Sequence, residues 1–199
     1  VGFTVDACAQ QNDCIHPACC HFILSMKLRH FDHDGRARFI TFGLHHRVPL
    51  LTNDPLRQII ADCINDARIS YGFRLLGYVI MPEHVHLVLV PRIDDRASRI
   101  IGDIKRESAL RVHEVLKMND SRLLDTFRVR RNGVERFALW QRRCFDHNCR
   151  TDDAVWGRVQ YCHNNPVLRG LVDTPEKWRW SSNGWYHGER RVPLLIDVD

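Results

Sequence analysis

Several kinds of segment are missing from this 199-residue chain. It has no apolar run of about 18 residues, so no helix is expected to span a membrane. It lacks the basic start and apolar stretch of a secretory signal, so a cytoplasmic location is expected. Its eight cysteines are then expected to stay reduced. No C-x2-C pair occurs, which leaves out the usual zinc-ribbon and zinc-finger frames. Internal repeats and low-complexity segments are absent as well. Neither sign of charge dominates: 29 Lys and Arg stand against 24 Asp and Glu, a net charge of +5.

What remains is an ordinary globular composition, 44% apolar and 27% charged, long enough for one domain with a sizeable core. The basic residues are unevenly spread. Arg128, Arg130, Arg131, Arg136, Arg142, Arg143 and Arg150 face only Glu135 and Asp146 in the same stretch. Such a cluster suits a phosphate backbone, although a solvated basic surface explains it equally well. Arg128, Arg130, Arg131, Arg142 and Arg143, with Lys105, are the candidate phosphate contacts. Cys8, Cys14, Cys19 and Cys20 crowd the first twenty residues beside His16 and His21. Residues 1–27 show no clean period and read as a Cys-rich extension outside the fold. Residues 28–188 form the expected domain, and 189–199 a C-terminal tail.

Within the domain the pattern is regular. "ARFITFGLH" is β-branched and aromatic, a strand. "NDPLRQIIADCINDARISYG" opens on an Asn/Asp cap and an early Pro and predicts a helix ending near Gly72. "FRLLGYVIM" and "HVHLVLV" predict an antiparallel strand pair joined by a tight Met81-Pro82-Glu83 link. "DDRASRIIGDIKRESALRVHEVLK" reads as a long helix with an acidic first turn. Residues 117–136 look like an Arg-rich excursion. "RFALWQRRCFDH" is the expected fourth strand. "TDDAVWGRVQYCHNN" is a helix capped by Thr151 or Asp152 and halted by Pro166. The order β-α-β-β-α-β-α is that of an α+β, ferredoxin-like split β-α-β fold: an antiparallel sheet with helices on one face.

Two places carry residues suited to chemistry. In "PEHVHLVLV" side chains alternate faces, so His84 and His86 point the same way, about 6.5–7 Å apart along the strand. Two imidazoles at that spacing can chelate a cation. They can equally be two polar residues opening a half-exposed strand. In "VQYCHNNP", Val155, Trp156, Val159 and Cys162 form the buried stripe of a helix, and Tyr161 lies roughly 150° from its middle. Asn165 is one turn further on, near the same face. Tyr161 is free for chemistry unless the aromatic C-terminal segment covers it.

The combination is more specific than either part. Cutting a nucleic-acid strand with a tyrosine needs a nucleophile, charge neutralisation at phosphorus and a basic grip. A cation on two histidines supplies the second. A phenol is a poor nucleophile until its proton leaves, and His163 and Lys105 are candidates to assist.

The stretches "GYVIMPEHVHLVLVP", "LWQRRCFDHNCRTDD", "VQYCHNNPVLRGLV" and "PEKWRWSS" resemble, in that order, the REP-associated tyrosine transposases. These are relatives of the single-tyrosine HUH transposases of small insertion sequences. The resemblance spans about residues 36–187. His84, Val85 and His86 match the His-hydrophobic-His motif. It implies the HUH endonuclease form of the ferredoxin-like fold. It implies that Tyr161 attacks DNA and becomes linked to a 5′-phosphate, leaving a free 3′-hydroxyl. His84, His86 and Asn165 would bind Mg²⁺ or Mn²⁺. The substrate would be a single DNA strand folded into an imperfect, REP-like hairpin. The Cys-rich start and the length of the 117–136 excursion depart from the family pattern.

Two other readings stay open at this level. One is a non-catalytic module that binds hairpin nucleic acid. The other is an unrelated metalloenzyme built on the Cys/His-rich start.

Overall fold

The computed structural model describes residues 36–197 apart from Asp94. The Cys-rich stretch at residues 1–27, and any metal it would hold, lies outside the described residues.

The chain runs β1 (Ala37–Gly43), α1 (Asp54–Tyr71), β2 (Arg74–Ile80), β3 (His84–Val90) and α2 (Ala97–Met118). A short α3 (Leu123–Thr126), β4 (Arg128–Arg131), β5 (Val134–Phe137), β6 (Phe145–Cys149), α4 (Asp152–Leu168) and a one-turn α5 (Asn183–Tyr186) follow. Strands β2-β3-β1-β6 form one antiparallel sheet in that order. β1 and β2 therefore run parallel with β3 between them. This is the ferredoxin-like split β-α-β expected from the element order.

Local chemistry accounts for most boundaries. Asn53 caps α1 by accepting from the Leu56 amide, and Gly72 ends it in the left-handed conformation. Thr151 caps α4 by accepting from the Ala154 amide. α2 starts at Ala97 with no acid in its first turn, so the acidic start expected there does not exist. Asp95 precedes the helix instead.

The two sheet faces are covered differently. Ile40, Phe42, Leu75, Tyr78, Val85 and Leu87 pack under α1 and α2, with Ile60, Ile64, Ile100 and Ile104 from the helices. Phe39, Leu76, Val79 and Val88 meet Val155, Val159 and Cys162 of α4 on the other face. α1 and α2 thus share one face, whereas α4 crosses the opposite one, so the helices do not all lie on one face as the sequence predicted. Each fully buried valine on α4 contributes roughly 2 kcal/mol. A bulge between Leu75 and Gly77 keeps β2 in step with both faces. A Cβ at Gly77 would lie 3.0 Å from Val159 Cγ2, so glycine lets α4 dock this close.

Two expectations need correction. Pro166 does not halt α4; it sits inside the helix, which runs on to Leu168. Packing against the sheet compensates for the amide hydrogen bond that proline cannot make. The stretch "RFALWQRRCFDH" is not one strand. Arg136 and Phe137 belong to β5, which pairs only with β4 in a separate two-stranded ribbon. Asn132 and Gly133 turn its tip with positive φ of 50° and 79°, the hairpin chemistry of an Asn-Gly pair. The chain then dips into the core at Leu139 and Trp140, whose indole N–H donates to Ser108 Oγ at 2.9 Å, before β6 begins at Phe145. The 117–136 excursion is thus the end of α2, the short α3 and most of this ribbon. The C-terminal segment also joins the fold: Leu194 and Ile196 are buried, and the Asp197 amide donates to the Leu75 carbonyl. No helix among the described residues is long and apolar enough to cross a membrane.

Candidate active site

Because Val85, Leu87 and Leu89 face α1 and α2, the alternating His84 and His86 face α4. Both histidines are buried. Their Nε2 atoms face each other at 2.9 Å. Each Nδ1 is engaged behind. His84 Nδ1 lies 3.1 Å from Glu83 Oε1, and His86 Nδ1 lies 2.7 Å from Thr41 Oγ1 on the neighbouring strand. Burial, then the neighbouring His84 and the charges of Arg158 and Arg47, pushes His86 down to about 3. His84 is also lowered, by burial first, although Glu83 opposes the shift. Both imidazoles are therefore neutral near pH 7. A carboxylate can only accept from His84, so its Nε2 carries the lone pair. With Thr41 assigned as accepting from His86 Nδ1, the tautomer that would ligate a cation, both Nε2 lone pairs face the 2.9 Å gap.

That arrangement suits a shared cation. Two ligands at right angles on an ion with bonds of about 2.1 Å are separated by about 3.0 Å. Asn165 supplies a second indication. It is buried on α4 with Nδ2 3.5 Å from His86 Nε2, and its Oδ1 has no hydrogen-bond partner. Turning the amide over exchanges the two atoms and brings an unpaired oxygen to the histidine pair. The set of two imidazole nitrogens and one amide oxygen thus fits a cation. No group of three or more His, Cys, Asp and Glu among the described residues is arranged to hold a metal.

Tyr161 reaches the same place from α4. It is 38% exposed, although Cys162 and His163, which follow it on the helix, are buried. Its ring stands edge-on to His86 at 5.3 Å and to Phe39 at 5.8 Å. Phe39 in turn stacks on His86 at 5.3 Å. The aromatic C-terminal segment leaves the phenol uncovered, since Tyr186 packs on Trp156 and His163 instead. Thr41, Arg47, His84, His86, Tyr161 and Asn165 line one cleft of about 300 Å³. Leu168 and Arg169 also line it.

A strained turn forms part of this cleft. In the 3-10 turn His45–Arg47, His46 and Arg47 both adopt left-handed backbone, with φ of 54° and 52°. Such a conformation costs about 1 kcal/mol or more per residue and persists only where surrounding bonds impose it. Here the His45 amide donates to Leu139 O at 2.8 Å and the Arg47 amide to Leu44 O at 3.0 Å.

The remaining sequence candidates lie elsewhere. Lys105 Nζ donates to the carbonyls of Gln141 and Arg142, so it ties α2 to the segment before β6 and does not line the cleft. His163 is buried beside Ser182 Oγ at 2.9 Å and is not in the cleft either. Arg128 is paired with Asp125 and Glu135. Arg130 and Arg131 are exposed on the ribbon, and Arg142 and Arg143 on the loop before β6. Arg131 is close enough to His45 to disfavour its protonation.

Sequence reasoning missed Thr41, Glu83, Arg47, Phe39 and Arg169. Arg169 lies one helical turn beyond Asn165, and its guanidinium is 2.9 Å from Glu83 Oε1. That spacing was a usable signal. Nothing local marks Thr41 or Arg47.

A split β-α-β sheet that presents His-x-His on a central strand to a tyrosine-bearing helix defines the HUH class. Within it, the family model for IS200-like transposases matches residues 38–149, and the chain belongs to that family. It is similar to a REP-associated tyrosine transposase of Haemophilus influenzae, 25% identical over 155 residues covering 74% of this chain and 83% of that one. A REP-associated tyrosine transposase of Escherichia coli is 25% identical over 150 residues, covering 74% of this chain and 76% of the other. Among solved structures, a REP-associated tyrosine transposase bound to a REP hairpin superposes with a TM-score of 0.59 at 22% identity. That match covers 87% of this chain and 93% of the other, and it shows the common fold.

Proposed function

We propose that this protein cuts and transfers single-stranded DNA at hairpin, REP-like sequences through a covalent 5′-phosphotyrosine on Tyr161. The observation that carries the reading is the convergence of a solvent-accessible phenol, two buried imidazoles with facing Nε2 atoms and an unpaired amide oxygen in one cleft. His84, His86 and Asn165 would hold Mg²⁺ or Mn²⁺. Bound there, the cation would supply Lewis acidity to a non-bridging phosphate oxygen.

The chain's own residues do the rest. Phe39 and His86 hold the Tyr161 ring edge-on, which fixes its direction of attack. The phenol oxygen forms a bond to phosphorus while the bond to the 3′-oxygen breaks. The phenolic proton passes to water, and the leaving 3′-oxygen takes one up. The phosphotyrosine conserves the bond energy, so a second 3′-hydroxyl can reverse the step on another strand. The similarity to a transposase bound to a REP hairpin supports the choice of substrate.

The test is to incubate the protein with end-labelled hairpin oligonucleotides from its genomic neighbourhood, with Mg²⁺, Mn²⁺ or chelator, on a denaturing gel. A metal-dependent band shifted by the mass of the protein, absent in Tyr161→Phe, is expected. Tight binding without that band, across hairpins and metals, would replace the enzyme with a hairpin-binding module.

A further inference from the structure

We propose that Arg47 is a further catalytic residue: its guanidinium grips a non-bridging oxygen of the scissile phosphate and offsets the charge that grows there during attack. This rests on the reading of the cleft as a DNA-cutting site.

The cleft has three arginines on or beside its walls, and two are committed. Arg169 is bound to Glu83 at 2.9 Å. Arg158 lies over the Phe39 ring, 5.0 Å from its centroid. Arg47 lines the cleft with His84, His86 and Tyr161, yet its guanidinium makes no hydrogen bond or ion pair among the described residues. Its charge is nonetheless felt at both imidazoles, where it disfavours protonation. An open cation therefore stands beside the candidate metal ligands and the nucleophile.

The backbone holds it there. β1 ends at Gly43, the register partner of His84, and the Leu44 amide donates to the Glu83 carbonyl at 2.8 Å. The left-handed pair His46 and Arg47 follows at once. The strained turn is thus anchored to the strand end that carries the histidines. Strain kept at a cleft wall, with a free cation at its end, points to use of that cation.

The chemistry calls for such a group. As the Tyr161 oxygen bonds to phosphorus and the 3′-oxygen departs, negative charge spreads over the equatorial oxygens. Arginine keeps its proton and presents a planar fork of donors that matches two phosphate oxygens. Removing one preorganised donor of this kind typically slows a reaction by about 10²–10³-fold.

The experiment uses the full chain with Mn²⁺ and a hairpin oligonucleotide whose cut has been mapped with the wild-type protein. Covalent attachment is timed for wild type, Arg47→Ala and Arg47→Lys. Each is tested on the natural phosphate and on the same oligonucleotide with an uncharged methylphosphonate at the cut. On phosphate, Arg47→Ala should be slower by about 10²-fold, with Arg47→Lys between. On methylphosphonate, which starts neutral and offers one non-bridging oxygen instead of two, the wild-type to Arg47→Ala ratio should be clearly smaller than on phosphate. If Arg47→Ala fails to fold, Arg47→Gly, which tolerates the left-handed backbone, takes its place. Equal rates on phosphate overturn the assignment. So does a rate ratio that is the same on both substrates, because that marks a structural role. Absence of any wild-type adduct would instead remove the cutting reading on which the assignment rests.

Discussion

Thr41 and His86 are direct register partners across β1 and β3, and the hydroxyl of one lies 2.7 Å from Nδ1 of the other. With the hydroxyl accepting from Nδ1, this contact would keep the His86 Nε2 lone pair open towards His84. Thr41→Val keeps the shape and removes the acceptor. Mn²⁺ affinity, measured by calorimetry on the DNA-free protein, is expected to fall about 10-fold or more. Thr41→Ser should retain it. An unchanged affinity in Thr41→Val would show that the hydroxyl does not orient the ligand.

Glu83 plays the equivalent part for His84, and it also holds Arg169. Glu83→Gln preserves an acceptor oxygen and should bind Mn²⁺ within a fewfold of wild type. Glu83→Ala should lose about 10–100-fold. Arg169→Ala should fall between, since it frees the carboxylate without removing it. Equal affinities for all three variants would sink this ordering.

Acid should destabilise the fold through buried histidines. Burial, with a smaller effect from His187, lowers His163 from 6.5 to about 3. The unfolded chain therefore binds a proton between about pH 6.5 and pH 3 that the folded chain refuses. Stability is full above pH 6.5 and is lost as pH falls towards 3, at about 1.4 kcal/mol per pH unit for one such group. His86 behaves likewise. Urea unfolding of His163→Gln between pH 4 and 7 should show a shallower slope than wild type. Parallel slopes would mean that His163 is not excluded from protonation.

Arg130 and Arg131 project from the ribbon without ion pairs among the described residues, unlike Arg128. If the ribbon touches DNA phosphates, Arg130→Ala with Arg131→Ala should weaken hairpin binding. The slope of log affinity against log salt should drop by about 1–2. A slope equal to wild type would place the DNA elsewhere.

Much of the fold was legible because its signals are local. Asn53, Gly72 and Thr151 are capping residues that act on their own helices, and the alternation in "HVHLVLV" fixes which side chains share a face. The off-stripe position of Tyr161 followed from helix geometry alone. The failures came where distant partners decide. The stretch "RFALWQRRCFDH" has uniform strand character, but Arg136 and Phe137 are claimed by β4 and Trp140 by the core. Pro166 breaks an isolated helix and is carried by packing in this one. The placing of Asn165 near the tyrosine face, by contrast, followed from the same helix geometry as Tyr161, and it lines one cleft with Tyr161 beside the histidine pair. Lys105 looks like an available cation until its carbonyl acceptors at 141 and 142 are seen. Thr41, Glu83 and Arg47 owe their places to cross-strand register and to an imposed backbone conformation, which no local pattern records.

The ribbon enters and leaves the fold at one point, where the Ala138 amide donates to the Phe127 carbonyl at 2.8 Å. Everything between those two residues is a closed excursion, clipped at its base. Lengthening, shortening or replacing it leaves the path of the chain through the four-stranded sheet unchanged. If the Arg130 and Arg131 variants show that the ribbon grips the target strand, target choice and strand chemistry would be separable traits in this protein. A graft of one ribbon onto another member's sheet would then be the way to redirect target choice.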